Sequence, residues 1–113
     1  MLFRSALKQG MGHLQQATMW LMQNAMARPD NAGAASMDYM HLFGLVALGY
    51  MWARIAEAAL AKKAADPSKA DAMDAKLIAG KFFAERMMPE TAAHLARIST
   101  GADTMMSLKA ELF

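Results

Sequence analysis

Tyr39-Met40-His41-Leu42-Phe43-Gly44-Leu45-Val46-Ala47-Leu48-Gly49-Tyr50-Met51-Trp52-Ala53 contains no charged residue. On a helical wheel its large side chains, Leu42, Phe43, Leu45, Val46, Leu48, Tyr50, Met51 and Trp52, leave no polar face. A helix that is hydrophobic all round is buried all round. The uncharged run is fifteen residues long, short of the roughly 18 that span a bilayer. It therefore reads as the central helix of a bundle, from about Met37 to Ala65, and no membrane partner is expected. Ser36 reads as its N-cap, with Asp38 in the first turn where the helix dipole favours an acid. Asp66-Pro67-Ser68 ends it, because the residue before a proline is pushed out of the α region. Gly44 and Gly49 lie inside this helix. Glycine is unfavourable there by about 1 kcal/mol relative to alanine, so another backbone is expected to approach closely at both.

Working outward, a first helix spans about Leu2 to Ala27. Leu7, Met11, Leu14, Thr18, Leu21, Met22 and Ala25 recur at three- and four-residue steps along one face. Arg28-Pro29-Asp30-Asn31 stops it, and Ala32 to Ser36 reads as a small-residue linker. A third helix runs from about Lys69 to Met88 with Met73, Leu77, Ile78, Phe82 and Met88 as its apolar stripe. Pro89 and Glu90 open a fourth, which turns Leu95 and Ile98 inward and ends near Gly101. A last short turn covers Ala102 to Leu108. No segment alternates as a strand does and nothing repeats. The expected fold is all-α, an antiparallel up-down bundle of about four helices, forming one domain over residues 1–113.

Composition agrees. The 113 residues include 25 Ala and 13 Met, and 56% are hydrophobic against 19% charged, which excludes a disordered chain. There is no Cys, so disulfides, thiolate metal sites and a thiol nucleophile are excluded and a cytoplasmic setting is expected. Twelve basic and ten acidic side chains give a net charge of +2. Lys and Arg are spread along the chain without the basic, aromatic-studded stripe that nucleic acid requires.

Sites of chemistry are hard to assemble from this sequence. His13, His41 and His94 are the only histidines. Glu90 and His94 share a helix face, but a bundle metal site needs further inward Glu and His residues that have no counterpart here. Met19, Met22 and Met26, with the doublets Met87-Met88 and Met105-Met106, read as adaptable packing rather than soft-metal ligands. No strand leads into a glycine-rich phosphate loop. No catalytic, cofactor-binding or metal residue is therefore assigned. Arg54 follows the most apolar run, and a buried charge needs a partner. Glu85 is the candidate for that structural ion pair, with Glu57 as another, unless Arg54 snorkels to water. Leu42, Phe43, Val46, Gly49, Tyr50 and Trp52 are the candidate packing and interface residues. Three neighbouring helices cover only one broad side of this helix, so its other side is expected to drive self-association, most simply as a dimer.

The stretch Asp38 to Arg54 resembles the "YL-x-LFG…GY-x-W-x-R-x-A" core of the extra C-terminal domain found in one group of acyl-CoA dehydrogenases, to which the methylmercaptopropionyl-CoA dehydrogenases belong. Lys81-Phe82-Phe83-Ala84-Glu85-Arg86-Met87-Met88-Pro89-Glu90 is similar to its "RFYAE-x-LLPQ" segment. Thr100-Gly101-Ala102-Asp103 resembles its "TAGAD" ending, and Leu108…Glu111-Leu112-Phe113 its C-terminus. Phe83 stands in place of the usual Tyr, and Met replaces Leu at several positions. The resemblance implies a parent enzyme that uses FAD to desaturate an acyl-CoA thioester between its α and β carbons. It also implies that the catalytic Glu and the flavin contacts lie in other domains, which would be partners of this one. The chain itself is then expected to hold no cofactor and to do no chemistry. The alternative is a free-standing helical module with a Met-lined groove for a partner helix or a small apolar ligand.

Overall fold

A computed structural model describes residues 2–113. It is built from α1 (Leu2–Asn24), α2 (Pro29–Ala65), α3 (Ala70–Phe82), α4 (Glu90–Ser99) and a short α5 (Asp103–Ser107). A π-helical turn (Phe83–Met87) joins α3 to α4, and single 3₁₀ turns lie at Pro67–Lys69 and Ala110–Leu112.

α2 begins eight residues before the expected start at Met37. Pro29 sits in its first turn with Asp30 beside it, where a locked φ and a negative charge both favour helix initiation. The expected linker, Ala32 to Ser36, is helical, and the Ser36 hydroxyl donates back to the Gly33 carbonyl at 2.9 Å instead of capping. Alanine-rich sequence propagates a helix once Pro29 has nucleated it. The preceding turn is fixed from inside α2: the Asn31 side-chain amide donates to the Asn24 carbonyl at the end of α1, while its oxygen accepts the Ala102 N–H at 3.0 Å. One Asn thus ties three chain segments together at one end of the molecule.

The side-chain contacts give the topology. Phe3 and Trp52 flank Gly80, Leu7 reaches Gly49, and Val46 reaches Gly10. The Thr18 and Tyr39 hydroxyls meet at 2.7 Å. As α1 numbers rise α2 numbers fall, so the two helices are antiparallel. Lys63 pairs with Asp74 at 2.7 Å, Trp52 packs on Phe83 and Asp38 binds His94, so α2 and the α3–α4 leg are antiparallel too. α3, the π turn and α4 run end to end as a single leg, and the four main helices form an up-down-up arrangement of three legs.

The π turn has a cause. Pro89 has no N–H, and its ring crowds the carbonyl four residues earlier, so a regular helix cannot run through it. The chain widens instead: the Met88 N–H reaches the Phe83 carbonyl at 3.0 Å, five residues back. The wider turn places Phe83, Ala84 and Met88 all inside the core.

The core has two parts. One joins Ala17, Ala35, Leu42, Val46 and Ile98, and the other joins Leu45, Phe83 and Met88. Much of the contact surface is alanine: Ala17, Ala35, Ala56, Ala59, Ala84 and Ala102 are all buried. Small residues let the helices approach closely. The Met88 thioether exploits this most, lying where Cβ atoms on Gly10 and Gly49 would stand, at 2.6 Å and 2.8 Å from them respectively. Gly49 is thus a close-packing position, approached by a side chain and not by a backbone. Gly44 is different, since nothing lies within 4 Å of where its Cβ would be.

These legs form a long, thin body of 67 × 29 × 16 Å with a radius of gyration of 18.8 Å. A compact domain of this length has a radius near ~13 Å. The accessible surface, 7788 Å², compares with about 6,100 Å² for a folded monomer of this mass.

Candidate interaction surface

Exposed large apolar side chains lie on α1 and α2, and others on α3 and the C-terminal segment from Met105 to Phe113. α2 buries Leu42, Leu45, Val46 and Gly49 against the other legs. Its next residues around the wheel face outward, with Phe43 55% and Tyr50 49% exposed. Between these two and α1 runs an open groove of about 560 Å³, lined by Leu7, Met11, Leu14, Met19, Phe43 and Tyr50 among others. Its continuation toward the start of α1 passes Phe3, Ala53, Ala56, Leu60 and Leu77, with Arg4, Arg54 and Glu57 at its edge. α1 ends its cover there: Phe3 is level with Trp52, and beyond it α2 and α3 form a two-helix hairpin.

The structure divides the six candidate packing and interface residues. Leu42, Val46 and Gly49 lie in the core. Phe43 and Tyr50 wall the groove. Trp52 is half-buried, 6.5 Å from the Phe83 ring centre. The expected α1 face holds in part: Leu7, Leu14 and Leu21 pack against the core and Thr18 is half-buried. Met11 and Met22 point outward instead, and the most buried α1 positions are Gly10 and Ala17.

The ion pair between Arg54 and Glu85 is not formed, nor is one with Glu57. Arg54 is exposed, so no buried charge demands a carboxylate. Its guanidinium donates to the Tyr50 hydroxyl at 3.0 Å and lies 5.9 Å from that ring's centre. Glu85 is on the exposed side of the π turn. Instead, the buried charge is Asp38. Its carboxylate accepts from His94 Nδ1 and from Arg97 Nε, each at 2.8 Å. Since a carboxylate only accepts, the His94 proton is on Nδ1. Burial alone raises the Asp38 pKa, but the hydrogen bonds from His94 and Arg97, with the Arg97 charge, outweigh it and hold the carboxyl below its ordinary value. The His41 ring stacks on His94 at 5.7 Å. The spacing of Asp38 from His94 along the chain is 56 residues, and no local pattern announces such a pair.

Glu90 does not join His94 and is exposed. Among the described residues no three His, Asp or Glu side chains gather as a metal-binding group. The described residues form no strand and no glycine-rich strand-to-helix loop. By length and composition α2 is able to cross a membrane. Here its inward face packs on all the other legs and carries the Asp38 cluster, as the central helix of a bundle does.

No curated protein matches the chain. The family model described as "Acetyl-CoA dehydrogenase C-terminal like" matches residues 2–109, which takes in all four main helices and the α1–α2 groove. The chain belongs to the acyl-CoA dehydrogenase C-terminal-like family.

Proposed function

We propose that this chain is a helical packing and oligomerisation module of an FAD-dependent acyl-CoA dehydrogenase of the methylmercaptopropionyl-CoA dehydrogenase-like group, and does no chemistry itself. The parent reaction is α,β-desaturation of an acyl-CoA thioester, with the flavin and the catalytic base supplied by the catalytic domains. The observation that carries this reading is the exposed apolar groove between α1 and α2, on a body whose surface exceeds that of a compact monomer by a quarter. Large contiguous apolar patches are rare on monomers and mark sites of contact. Met11, Met19 and Phe43 along its walls are side chains that mould to a partner.

The test is co-expression of the chain with acyl-CoA dehydrogenase catalytic domains, followed by gel filtration. The two should elute together, with the flavin absorbance in the shared peak. Met11→Glu with Phe43→Glu places charge in the groove without entering the core, and should separate them. Continued co-elution of that variant would refute the groove as the contact. A second reading, a free-standing receptor for a partner helix, is favoured by the same Met-lined walls. It predicts binding of an amphipathic helical peptide by the chain alone and indifference to the catalytic domains.

A further inference from the structure

α2 carries a second exposed face beside the groove. Met40, Gly44, Ala47 and Met51 follow at steps of four, three and four residues, and so form one stripe along the helix. Met40 and Met51 are mostly exposed, and Ala47, which also borders the groove, is exposed. Gly44 stands at the middle. The buried glycines at 10, 49 and 80 each receive a neighbour's side chain, whereas at Gly44 nothing in the chain uses the space a side chain would fill.

Resting on the association module proposed above, we infer that this stripe is the seam of a two-fold homodimer. α2 packs antiparallel on α2 of a second copy, with Gly44 facing the partner's Ala47 and Met40 facing the partner's Met51. Two observations point to that occupant and that direction. The four-three-four spacing reads the same both ways, small residues inside and methionines outside, so like meets like when the face meets its own copy across a two-fold axis. The same register extends to charge. Asp30 lies two heptads before Gly44, and the position it faces, Ala61, lies two heptads after Ala47 and next to Lys62. The antiparallel pair therefore brings each exposed Asp30 to the partner's Lys62. A parallel pair would set Asp30 against Asp30 and Lys62 against Lys62.

The test exploits the absence of cysteine. Full-length chains carrying Met40→Cys or Met51→Cys, each with a different mass tag, are mixed in equal amounts and oxidised. The expected product is the mixed disulfide, far above the half that chance pairing gives. Two copies of position 40 are eleven residues out of step in this register, about 16 Å apart along the helix, beyond the reach of a disulfide. Dominant like-with-like disulfides would overturn the antiparallel direction. A chance mixture or no cross-link, with light scattering still showing a dimer, would overturn the seam and leave the association reading intact. A monomer at all concentrations would overturn both. Gly44→Glu, which enters open space and should fold normally by circular dichroism, is expected to weaken the dimer at least tenfold. An unchanged dimer in that variant also refutes the seam.

Discussion

Replacing Gly49 by leucine tests the tightest contact in the molecule. A Cβ there stands 2.8 Å from Met88 Sδ, 3.0 Å from its Cε and 3.7 Å from Leu7 Cδ1. Ordinary contacts are about 3.5–4.0 Å, so the first added carbon already intrudes by roughly 1 Å, and leucine adds three more. Overpacking of this kind costs about 1–3 kcal/mol. Leaving glycine gains about 0.8 kcal/mol in helix propensity. Because Met88 is also wedged against Gly10, it has little room to retreat, and the net loss should be about 1–2 kcal/mol. That corresponds to a fall in melting temperature of roughly 4–8 °C for a domain of this size. Circular dichroism melts at fixed protein concentration read it directly. A double-mutant cycle with Met88→Ala isolates the cause. Met88→Ala alone should cost about 2–5 kcal/mol, and the double variant should be more stable than the sum of the singles by about 0.5–3 kcal/mol. Unchanged melting of Gly49→Leu, or strict additivity in the cycle, would refute the Met88 socket.

Three other outcomes are expected. Asp38→Asn should lose about 1.5–3 kcal/mol near neutral pH by weakening charged hydrogen bonds to His94 and Arg97, measured by urea titration. Because the folded Asp38 pKa is depressed, its stabilisation is complete above the unfolded value near ~3.9. It is lost as pH falls through the lower folded value, where the unfolded chain binds the extra proton. The variant should lack that acid-limb slope. Arg54→Ala and Glu85→Ala should add without coupling, since Arg54 bonds Tyr50 and not Glu85; a coupling of 0.5 kcal/mol or more would revive the ion pair. Gly101→Ala should lower the melting temperature, because Gly101 has φ +74° and a Cβ would sit 3.1 Å from Asn31 Oδ1; the strain is about 1–2 kcal/mol, and an unshifted melt would contradict it.

How far the sequence carried the fold depends on the size of the side chains. The uncharged run from Tyr39 to Ala53 identified the central helix, and Pro67 and Pro89 marked real interruptions. The α1 face was legible at Leu7, Leu14 and Leu21, which pack on the core, but not at Gly10 and Ala17, which are buried yet carry no hydrophobic signal on a wheel, nor at Met11 and Met22, which carry a strong one yet point outward. The start of α2 was missed because Ser36 resembles a cap and Pro29 resembles a breaker, whereas proline is welcome in a first turn. The candidate interface was half legible. Apolarity around all of α2 signalled an uncovered side, but which of Leu42, Phe43, Val46 and Tyr50 lay there depended on where α1 and α4 pack. The Asp38–His94–Arg97 cluster was invisible because it joins helices far apart in sequence.

The central claim is that the α1–α2 surface of this acyl-CoA dehydrogenase C-terminal-like domain exists to be covered by protein. Sedimentation of the chain by itself over a wide concentration series, with a hydrophobic dye as reporter, tests it most directly. The account predicts reversible association with increasing concentration, and dye fluorescence that persists as copies pair, because the α1–α2 groove lies beside the seam and stays open. A chain that stays monomeric at the highest concentration and never binds the dye would contradict it.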